Sequence, residues 1–310
     1  MTAHPQALAG GDDVARPNFL YLGPDKAGSS WLHEVLLRHE QVFLPEAKDL
    51  YFFDRYWDRG LPWYLGHFGG AGPQHAVVGE VCQDYLFHDA APERIAQALG
   101  SPRLMVTLRD PAERAFSSWL YALKQGAVDW GATFAEGLQV RPELLGHGRY
   151  ATHLARYVER FGRDRLHVSV FDDLVDDPQR FVDGVLAFLE VAPAALPEDL
   201  LEARLPAARA RSALLARTAR RAADLVRERD PVGGGADLIG RVKRSPLVQR
   251  ALYRPLGEDR PTMTPGERDG VHRALGGEVA ELDRRFGLDL ARRWGWQDVV
   301  PSTGRAEGAA

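Results

Sequence analysis

Between residues 17 and 190, short apolar runs alternate with longer amphipathic segments. The apolar runs predict buried strands at 18–22, 77–81 and 104–108. Between the strands, apolar side chains recur with the period of a helix, as in Trp31, Leu32, Val35 and Leu36. Strands that alternate with helices in this way are typical of an α/β fold with a mainly parallel sheet.

The pattern changes after Pro193. An Ala/Arg-rich segment predicts a helix at 206–229, and a Gly-rich break follows at 230–235. Thr264 and Glu267 have the spacing of a capping box and precede a helix with one apolar face. We therefore predict one domain at 17–300 with a helical carboxyl-terminal lobe, of which 195–262 is a lid or acceptor region. Residues 1–16 and 301–310 are predicted to be disordered tails.

The turn after the first strand is a candidate phosphate site. A buried strand that becomes a helix through the Gly-containing loop Gly23 to Gly28 aims backbone N–H groups and the helix dipole at one point. Lys26 adds a mobile positive charge there, and Ser29 and Ser30 add hydroxyl donors. In an NTPase P-loop a Lys-Ser/Thr pair follows the last glycine, whereas here two serines stand in that place.

A second candidate anion site follows the strand predicted at 104–108. Asp110 is a good N-cap, Pro111 suits the first helical position, and Glu113 is expected to close a capping box. Arg109 then leaves the end of a strand while Ser117 lies about two turns along the next helix. Two roles are open for these side chains: together they hold one anion, or Arg109 pairs with a nearby carboxylate while Ser117 faces solvent.

The two motifs together resemble those of sulfotransferases that use 3′-phosphoadenosine 5′-phosphosulfate (PAPS), of the bacterial and heparan-sulfate type. Lys-Ala-Gly-Ser-Ser-Trp at 26–31 resembles the 5′-phosphosulfate loop, and Arg-Asp-Pro-x-x-Arg-x-x-Ser at 109–117 resembles the 3′-phosphate motif. Lys-Asp-Leu-Tyr-Phe-Phe at 48–53 is similar to that family's Lys-Glu-x-x-Phe-Phe segment. The resemblance implies a P-loop-like three-layer fold and transfer of a sulfuryl group from PAPS to a hydroxyl, with adenosine 3′,5′-bisphosphate (PAP) as product and no metal.

The resemblance also implies roles for particular residues. Trp31 is expected to pack either against the adenine or on its own helix stripe, and Arg209 and Arg211 lie where bacterial relatives often carry arginine. The residues implied in donor binding are Lys26, Ala27, Gly28, Ser29, Ser30, Trp31, Arg109, Ser117, Arg209 and Arg211.

The catalytic base is less well marked. Asp49 stands where the heparan-type enzymes have a glutamate, so it is the candidate base, with pairing to Lys48 as the alternative role. His88 and His67 are the substitutes. One lysine of the family pattern is missing, because Val81 stands in its place, and the carboxyl-terminal Gly-x-x-Gly-x-x-Lys of the cytosolic enzymes is absent.

Composition excludes several other classes. A formal net charge of −4 argues against a nucleic-acid binder, and no apolar run approaches the roughly 18 residues that span a bilayer. The first 16 residues have no apolar core of a signal peptide, and the single cysteine, Cys82, excludes an intrachain disulfide. We therefore expect a cytoplasmic protein with no membrane or nucleic-acid partner. The Arg-rich, Lys-poor composition fits a bacterial source and an enzyme of natural-product biosynthesis.

The acceptor is expected to be a small-molecule alcohol, phenol or carbohydrate, in a pocket lined by the aromatic residues at 51–64. The region 204–254 carries 13 basic against 4 acidic side chains, which suits either a wall facing an anion or a solvated helix face. Two other functions remain open at this point. One is a small-molecule kinase with ATP on the loop and Asp110 on Mg²⁺, and the other is a nucleotide-binding protein without catalysis.

Overall fold

The computed structural model describes residues 15–201 and 260–300, the segments 208–210 and 253–255, and positions 218, 221–222 and 225–226. Nearly all of the predicted amino-terminal tail and the whole of 301–310 lie outside the described residues. The predicted break at 230–235 and most of the predicted lid at 195–262 lie outside them as well.

The centre of the fold is a parallel sheet of five strands. Its order is β2-β3-β1-β4-β5, and every neighbouring pair is parallel. The strands are β1 Phe19–Gly23, β2 Val42–Phe43, β3 Val77–Val81, β4 Arg103–Leu108 and β5 Leu166–Val170. The parallel sheet predicted from the apolar runs is confirmed.

Helices and single 3₁₀ turns connect and cover these strands. The α-helices are α1 Ser29–Leu37, α2 Leu61–Leu65, α3 Ala91–Leu99, α4 Pro111–Lys124, α5 Phe134–Val140, α6 Glu143–Gly146, α7 Tyr150–Phe161, α8 Phe171–Asp176, α9 Pro178–Leu189, α10 Glu198–Leu201, α11 Pro265–Phe286 and α12 Leu290–Arg293. The 3₁₀ turns are Trp57–Arg59, Gly66–Phe68, Tyr85–Phe87 and Arg163–Arg165. None of the described helices is both long and apolar enough to cross a membrane.

The two faces of the sheet carry separate hydrophobic cores. Successive residues of a strand point to opposite faces, so Leu20 and Leu22 belong to one core while Phe19 and Tyr21 belong to the other. The first core takes the apolar faces of α3, α4, α7 and α11. The second takes those of α1 and α9. The chain is therefore the three-layer α/β fold that the sequence predicts.

The chain order of the strands creates a crevice between β1 and β4. From β1 the chain goes to β2 and β3 on one side, whereas from β4 it goes to β5 on the other. In open parallel sheets, ligands bind at the carboxyl ends of the strands where the connections diverge in this way. The loop that contains Lys26 follows β1, and Arg109 follows β4, so both candidate anion motifs lie at this point.

The backbones of β1 and β3 approach each other closely at Gly79. A Cβ atom added to Gly79 would lie 2.3 Å from the carbonyl oxygen of Phe19 on the neighbouring strand, which is closer than a real side chain permits. Glycine is therefore required at this position for β3 to pack beside β1.

The carboxyl-terminal part is helical where it is described, apart from one strand pair. Thr264 and Glu267 form the predicted capping box at the start of α11, with each side chain accepting the other residue's backbone N–H. The helix predicted at 206–229 is wrong at its start, because β6 Ala208–Ala210 is a strand paired antiparallel with β7 Tyr253–Pro255. Alanine and arginine favour a helix locally, but pairing with a distant strand overrides that preference.

Candidate active site

The loop after β1 depends on a glycine just before α1. Gly28 has φ +86°, a conformation that favours glycine, and it stands at the N-cap of the helix. A Cβ atom there would also lie 2.7 Å from Cδ2 of Leu174 in α8. The loop therefore packs closely on α8, with Ser29 buried and Ser30 exposed in the first turn of α1.

The side chain of Lys26 extends from this loop to helix α4. Its Nζ atom is 4.5 Å from the centre of the Tyr121 ring. Burial lowers the pKa of the Lys26 ammonium, the negative charge of Asp25 opposes this, and the positive charges of Arg109, Lys124 and Lys48 add to the lowering. A cation so placed gains from any anion that enters the site.

The two sequence motifs meet through one hydrogen bond. Nη1 of Arg109 donates to the carbonyl oxygen of Lys26 over 2.8 Å, although the residues are 83 positions apart. The Arg109 guanidinium lies 4.9 Å from the centre of the Phe171 ring, and burial lowers its pKa. Ser117, the second member of the predicted 3′-phosphate pair, is partly buried on α4. The described structure therefore places both motifs at one crevice.

A pocket beside Arg109 opens between α4 and α8. Its lining residues include Arg109, Phe171, Asp172 and Glu113. The Trp294 Nε1–H group donates to the Asp172 carboxylate over 3.1 Å, and Arg268 of α11 pairs with Glu113. Arg268 compensates the charge of Glu113, and Trp294 satisfies one oxygen of Asp172, while Asp110 and Asp176 are further carboxylates of the lining.

The amino end of α4 is only partly as predicted. Asp110 is the N-cap, and its Oδ1 accepts the backbone N–H of Ala112 over 2.8 Å. The predicted capping box with Glu113 is wrong, because the Glu113 side chain turns to Arg268 instead. A long-range partner with a full positive charge outcompetes the local backbone donor.

Sequence reasoning missed the group that ties the loop to α4. The carboxylate of Asp25 pairs with the fully buried guanidinium of Arg114 over 3.1 Å and accepts a hydrogen bond from the Ser118 hydroxyl. Burial alone would raise the pKa of Asp25, but Arg114, His147 and Ser118 hold it below its usual range. Arg114 and Ser118 are four residues apart, so they share one face of α4. This spacing could have predicted a polar cluster on α4, but not that Asp25 is its partner.

Asp49, the candidate base, already has two kinds of partner. The Lys48 ammonium contacts its two oxygens over 2.8 and 2.9 Å, and the backbone N–H of Gln83 donates to Oδ1 over 3.0 Å. The positive charge of Lys48 lowers the pKa of Lys26, so the segment at 48–53 lies near the loop after β1. Pairing of Asp49 with Lys48, the alternative drawn from the sequence, is present.

Neither histidine proposed as a substitute base contacts Lys26 through a described interaction. His88 follows the turn Tyr85–Phe87, where burial and the positive charges of Arg94 and Arg156 lower its pKa. His67 packs edge-on against Trp63 at 4.9 Å.

The remaining donor-site candidates are described to different extents. Trp31 packs edge-on against Phe181, and its Nε1–H group donates to the carbonyl oxygen of Leu200 over 2.8 Å. This contact agrees with packing on the helix stripe, and contact with adenine stays a prediction. Arg209 lies in β6, beside Arg254 in the register, and its side chain is outside the description. Arg211 lies outside the described residues.

Part of the aromatic segment at 51–64 belongs to the core, whereas Tyr56, Trp57 and Trp63 are only partly buried, and a pocket lined by these three stays a prediction. Phe52, Phe53 and Tyr64 are fully buried and pack on one another. The hydroxyls of Tyr64 and Tyr85 both donate to Oε1 of Glu80, and burial raises the pKa of Glu80 to about 8. Glu80 is therefore mostly protonated at neutral pH and belongs to the core beneath the site.

The comparison with known families decides the class of protein. The family model of the sulfotransferase domain matches residues 16–205, which is more than half of the chain. The chain belongs to the sulfotransferase domain family. Both anion motifs lie inside the matched segment.

Relatives and a solved structure agree with this assignment. The chain is 28% identical over 200 residues to the mouse bifunctional heparan sulfate N-deacetylase/N-sulfotransferase 4, and 26% identical over 190 residues to the human heparan sulfate glucosamine 3-O-sulfotransferase 5. Each match covers 57% of this chain, but only 22% of the mouse protein and 54% of the human one. A sulfotransferase from Alicyclobacillus acidocaldarius shares the fold, with a TM-score of 0.64, 22% identity, and coverage of 92% of this chain and 100% of that one.

The buried pair predicts a large effect on stability. Arg114→Met leaves the Asp25 carboxylate without its main counter-charge, so we expect the free energy of unfolding to fall by about 3 kcal/mol. The matched control is Arg38→Met, which breaks an Arg–Asp pair of 2.7 Å whose side chains are 42% and 63% exposed. The control should cost less than about 1 kcal/mol. Urea unfolding measures both, and equal losses would contradict the role assigned to Arg114.

Proposed function

We propose that the protein transfers a sulfuryl group from PAPS to a hydroxyl of a small-molecule or carbohydrate acceptor. The observation that carries this proposal is the hydrogen bond from Arg109 to the carbonyl oxygen of Lys26. This hydrogen bond connects the loop that we assign to the 5′-phosphosulfate with the arginine that we assign to the 3′-phosphate. One nucleotide with a phosphate at each end fits this arrangement.

The proposed reaction is an in-line displacement at sulfur. The acceptor oxygen forms a bond to sulfur while the bond from sulfur to the bridging oxygen of the 5′-phosphate breaks. The acceptor proton passes to a base, and negative charge grows on the oxygen that leaves. Lys26 and the N–H groups at the start of α1 stabilise that charge, as preorganised donors do in phosphoryl transfer.

Arg109 and Ser117 select the nucleotide. The Arg109 guanidinium offers a planar fork of donors, and a phosphate is bound better by such a fork than by a single charge. Arg268 supports this role, since it pairs with Glu113, whose carboxylate also lies 3.9 Å from Arg109 and would otherwise be balanced by Arg109 alone. The pocket beside Phe171 is the space in which we propose that the adenosine lies.

Asp49 is the proposed base. The Lys48 ammonium lies 2.8 and 2.9 Å from its two oxygens and holds the carboxylate in place. Its position in the segment at 48–53, which resembles the Lys-Glu-x-x-Phe-Phe segment of the heparan-type enzymes, supports the assignment.

The two other functions drawn from the sequence have less support. As a kinase the protein would need Asp110 for Mg²⁺, yet the Asp110 carboxylate caps α4 and lies 3.5 Å from Arg268. Membership of the sulfotransferase family argues against a binding protein without catalysis.

Nucleotide affinity tests the donor assignment. We expect PAP to bind about 10–100-fold more tightly than AMP, since charge-assisted hydrogen bonds to the 3′-phosphate are lost with AMP. Arg109→Ala should remove the difference, whereas Arg103→Ala, at the opposite end of β4, should preserve it. Isothermal titration calorimetry measures the affinities. Equal binding of PAP and AMP to the wild-type protein would refute the donor assignment, and turnover that requires ATP and Mg²⁺ would revive the kinase.

Lys26 is expected to act on the rate more than on affinity. Lys26→Ala should slow the release of labelled sulfate from PAPS to water by about 10²–10³-fold, because it removes a preorganised donor to the leaving oxygen. PAP affinity should fall less than tenfold. Release of labelled sulfate and calorimetry give the two values, and an unchanged rate would contradict the role of Lys26.

Asp49 should matter only for acceptors that must lose a proton. Asp49→Asn should lower transfer to benzyl alcohol by about a hundredfold. Transfer to 4-nitrophenol, measured at a pH where that phenol is already ionised, should change little. The control is Asp58→Asn, a nearby exposed carboxylate. If His88→Ala produces the loss and Asp49→Asn does not, the base is His88.

A further inference from the structure

The segment that carries Asp49 has an unusual backbone. Asp49 and Tyr51 have φ angles of +62° and +54°, a conformation that residues other than glycine rarely adopt and that disfavours a bulky side chain such as that of Tyr51. A backbone of this kind persists only where its surroundings hold it in place. The contacts that hold the segment at 48–53 therefore help to determine where the Asp49 carboxylate lies.

The peptide unit that joins Tyr51 to Phe52 is held at both ends. The carbonyl oxygen of Tyr51 accepts from the backbone N–H groups of Arg55 and Tyr56 over 2.9 and 3.0 Å. At the other end of the same unit, the Phe52 N–H group donates to the hydroxyl oxygen of Tyr85 over 2.9 Å. The first pair of contacts is local, whereas the second ties the segment to a side chain 33 positions away.

Tyr85 is itself fixed in place. It is fully buried, its hydroxyl donates to Oε1 of Glu80 over 2.7 Å, and its backbone carbonyl oxygen accepts from the hydroxyl of Tyr157 over 2.6 Å. A hydroxyl has one proton, so once it donates to Glu80 it offers only its lone pairs to other groups. The contact with Glu80 therefore orients the Tyr85 hydroxyl as an acceptor for the Phe52 N–H group.

The chain around Tyr85 also lies against the loop after β1. A Cβ atom added to Gly23 would lie 2.5 Å from the carbonyl oxygen of Gln83, so the two backbones are in close contact there. The backbone N–H group of Gln83 donates to Oδ1 of Asp49 over 3.0 Å. The same short stretch of chain thus contacts both the loop that carries Lys26 and the segment that carries Asp49.

We propose that Tyr85 is a positioning residue for Asp49: its hydroxyl holds the peptide unit that precedes Phe52, and this keeps the Asp49 carboxylate where the acceptor loses its proton. The proposal rests on the proposed function, in which Asp49 is the base. Tyr85 does not touch the reacting atoms and acts through Asp49 alone.

Tyr64 offers a matched control. It is also fully buried, and its hydroxyl donates to the same Oε1 atom of Glu80 over 3.0 Å. Unlike the Tyr85 hydroxyl, it accepts no hydrogen bond from a described residue. Loss of either hydroxyl removes one donor from Glu80, but only Tyr85→Phe leaves the Phe52 N–H group without its acceptor.

A double-mutant cycle on Tyr85 and Asp49 tests the proposal. The rate to measure is the release of labelled sulfate from PAPS to water, a reaction that uses a base and needs no particular acceptor. Asp49→Asn should slow this release about a hundredfold. Tyr85→Phe should slow it about tenfold, because a misplaced catalytic group reacts less often. In the double variant Tyr85→Phe should add no further loss, since a residue that acts only through Asp49 has no effect once that carboxylate is gone.

Three further measurements separate positioning from a general loosening of the core. Tyr64→Phe should change the rate of release less than about threefold. The affinity for PAP, measured by calorimetry, should be the same in Tyr85→Phe and in the wild-type protein. Burial raises the pKa of Glu80 to about 8, so at neutral pH it serves as a neutral acceptor. Glu80→Gln keeps such an acceptor for both hydroxyls, and its rate should stay within about threefold of the wild-type rate.

The outcomes separate the two proposals. A loss in Tyr85→Phe that persists at full size beside Asp49→Asn, an equal loss in Tyr64→Phe, or no loss at all overturns the positioning role while the donor assignment stands. If Tyr85→Phe does not fold, Glu80→Gln decides, because a rate as low as that of Asp49→Asn would show that Glu80 acts as a charged group. Failure of Asp49→Asn to slow the release removes the base and the positioning role together. Failure of the wild-type protein to release sulfate from PAPS overturns the proposed function itself.

Discussion

The buried pair between Asp25 and Arg114 fixes the position on which the rest of the site depends. Asp25 immediately precedes Lys26, so the contact holds the loop against α4 at the residue next to the one that we propose meets the leaving group. The Arg114 guanidinium is fully buried, and a buried cation is stable only when its charge and its donors are matched. Asp25 balances the charge of Arg114, and Asp25, Ser118 and the Leu144 carbonyl accept from its two terminal nitrogens, while Nε is buried without a hydrogen-bond partner.

The helical period determines which residues of α4 contact the loop after β1 and which face the core. Arg114 and Ser118 share the face that holds the loop, while Ser117, one residue from Ser118, is turned by about 100° and is only partly buried. Two adjacent serines therefore lie in different surroundings. The apolar residues Ala115, Trp119 and Ala122 face the core and fix the rotation of the helix. Because the core sets this rotation, Ser117 cannot turn away from its present side of α4 without exposing Trp119.

Local signals predicted the fold well. The strand predicted at 77–81 is β3, and the Asp110–Pro111 start of α4 is as predicted, because both depend on neighbouring residues only. The resemblance to sulfotransferases was also visible, since each of its motifs is one continuous segment.

Features that depend on distant partners were not predicted. Asp25 and Arg114 are 89 positions apart, and nothing in either segment marks the other as its partner. The aromatic residues at 51–64 were assigned to a pocket because their composition suits one, yet Phe52 and Phe53 are core residues. The strand at 208–210 exists only through its pairing with 253–255, so the local helical preference was misleading.

The carboxyl-terminal part of the chain supplies partners for two acidic side chains of the matched family segment. Residues 16–205 contain Arg109 but also Glu113 and Asp172, two of the carboxylates that line the adjoining pocket. Glu113 is close enough, at 3.9 Å, to compete for Arg109. Arg268 of α11 pairs with Glu113, and Trp294 next to α12 donates to Asp172, so both acids have other partners. In the proposed function the Arg109 guanidinium would then keep donors for an incoming phosphate, so the helices beyond the matched segment would contribute to the proposed donor site as well as to the core.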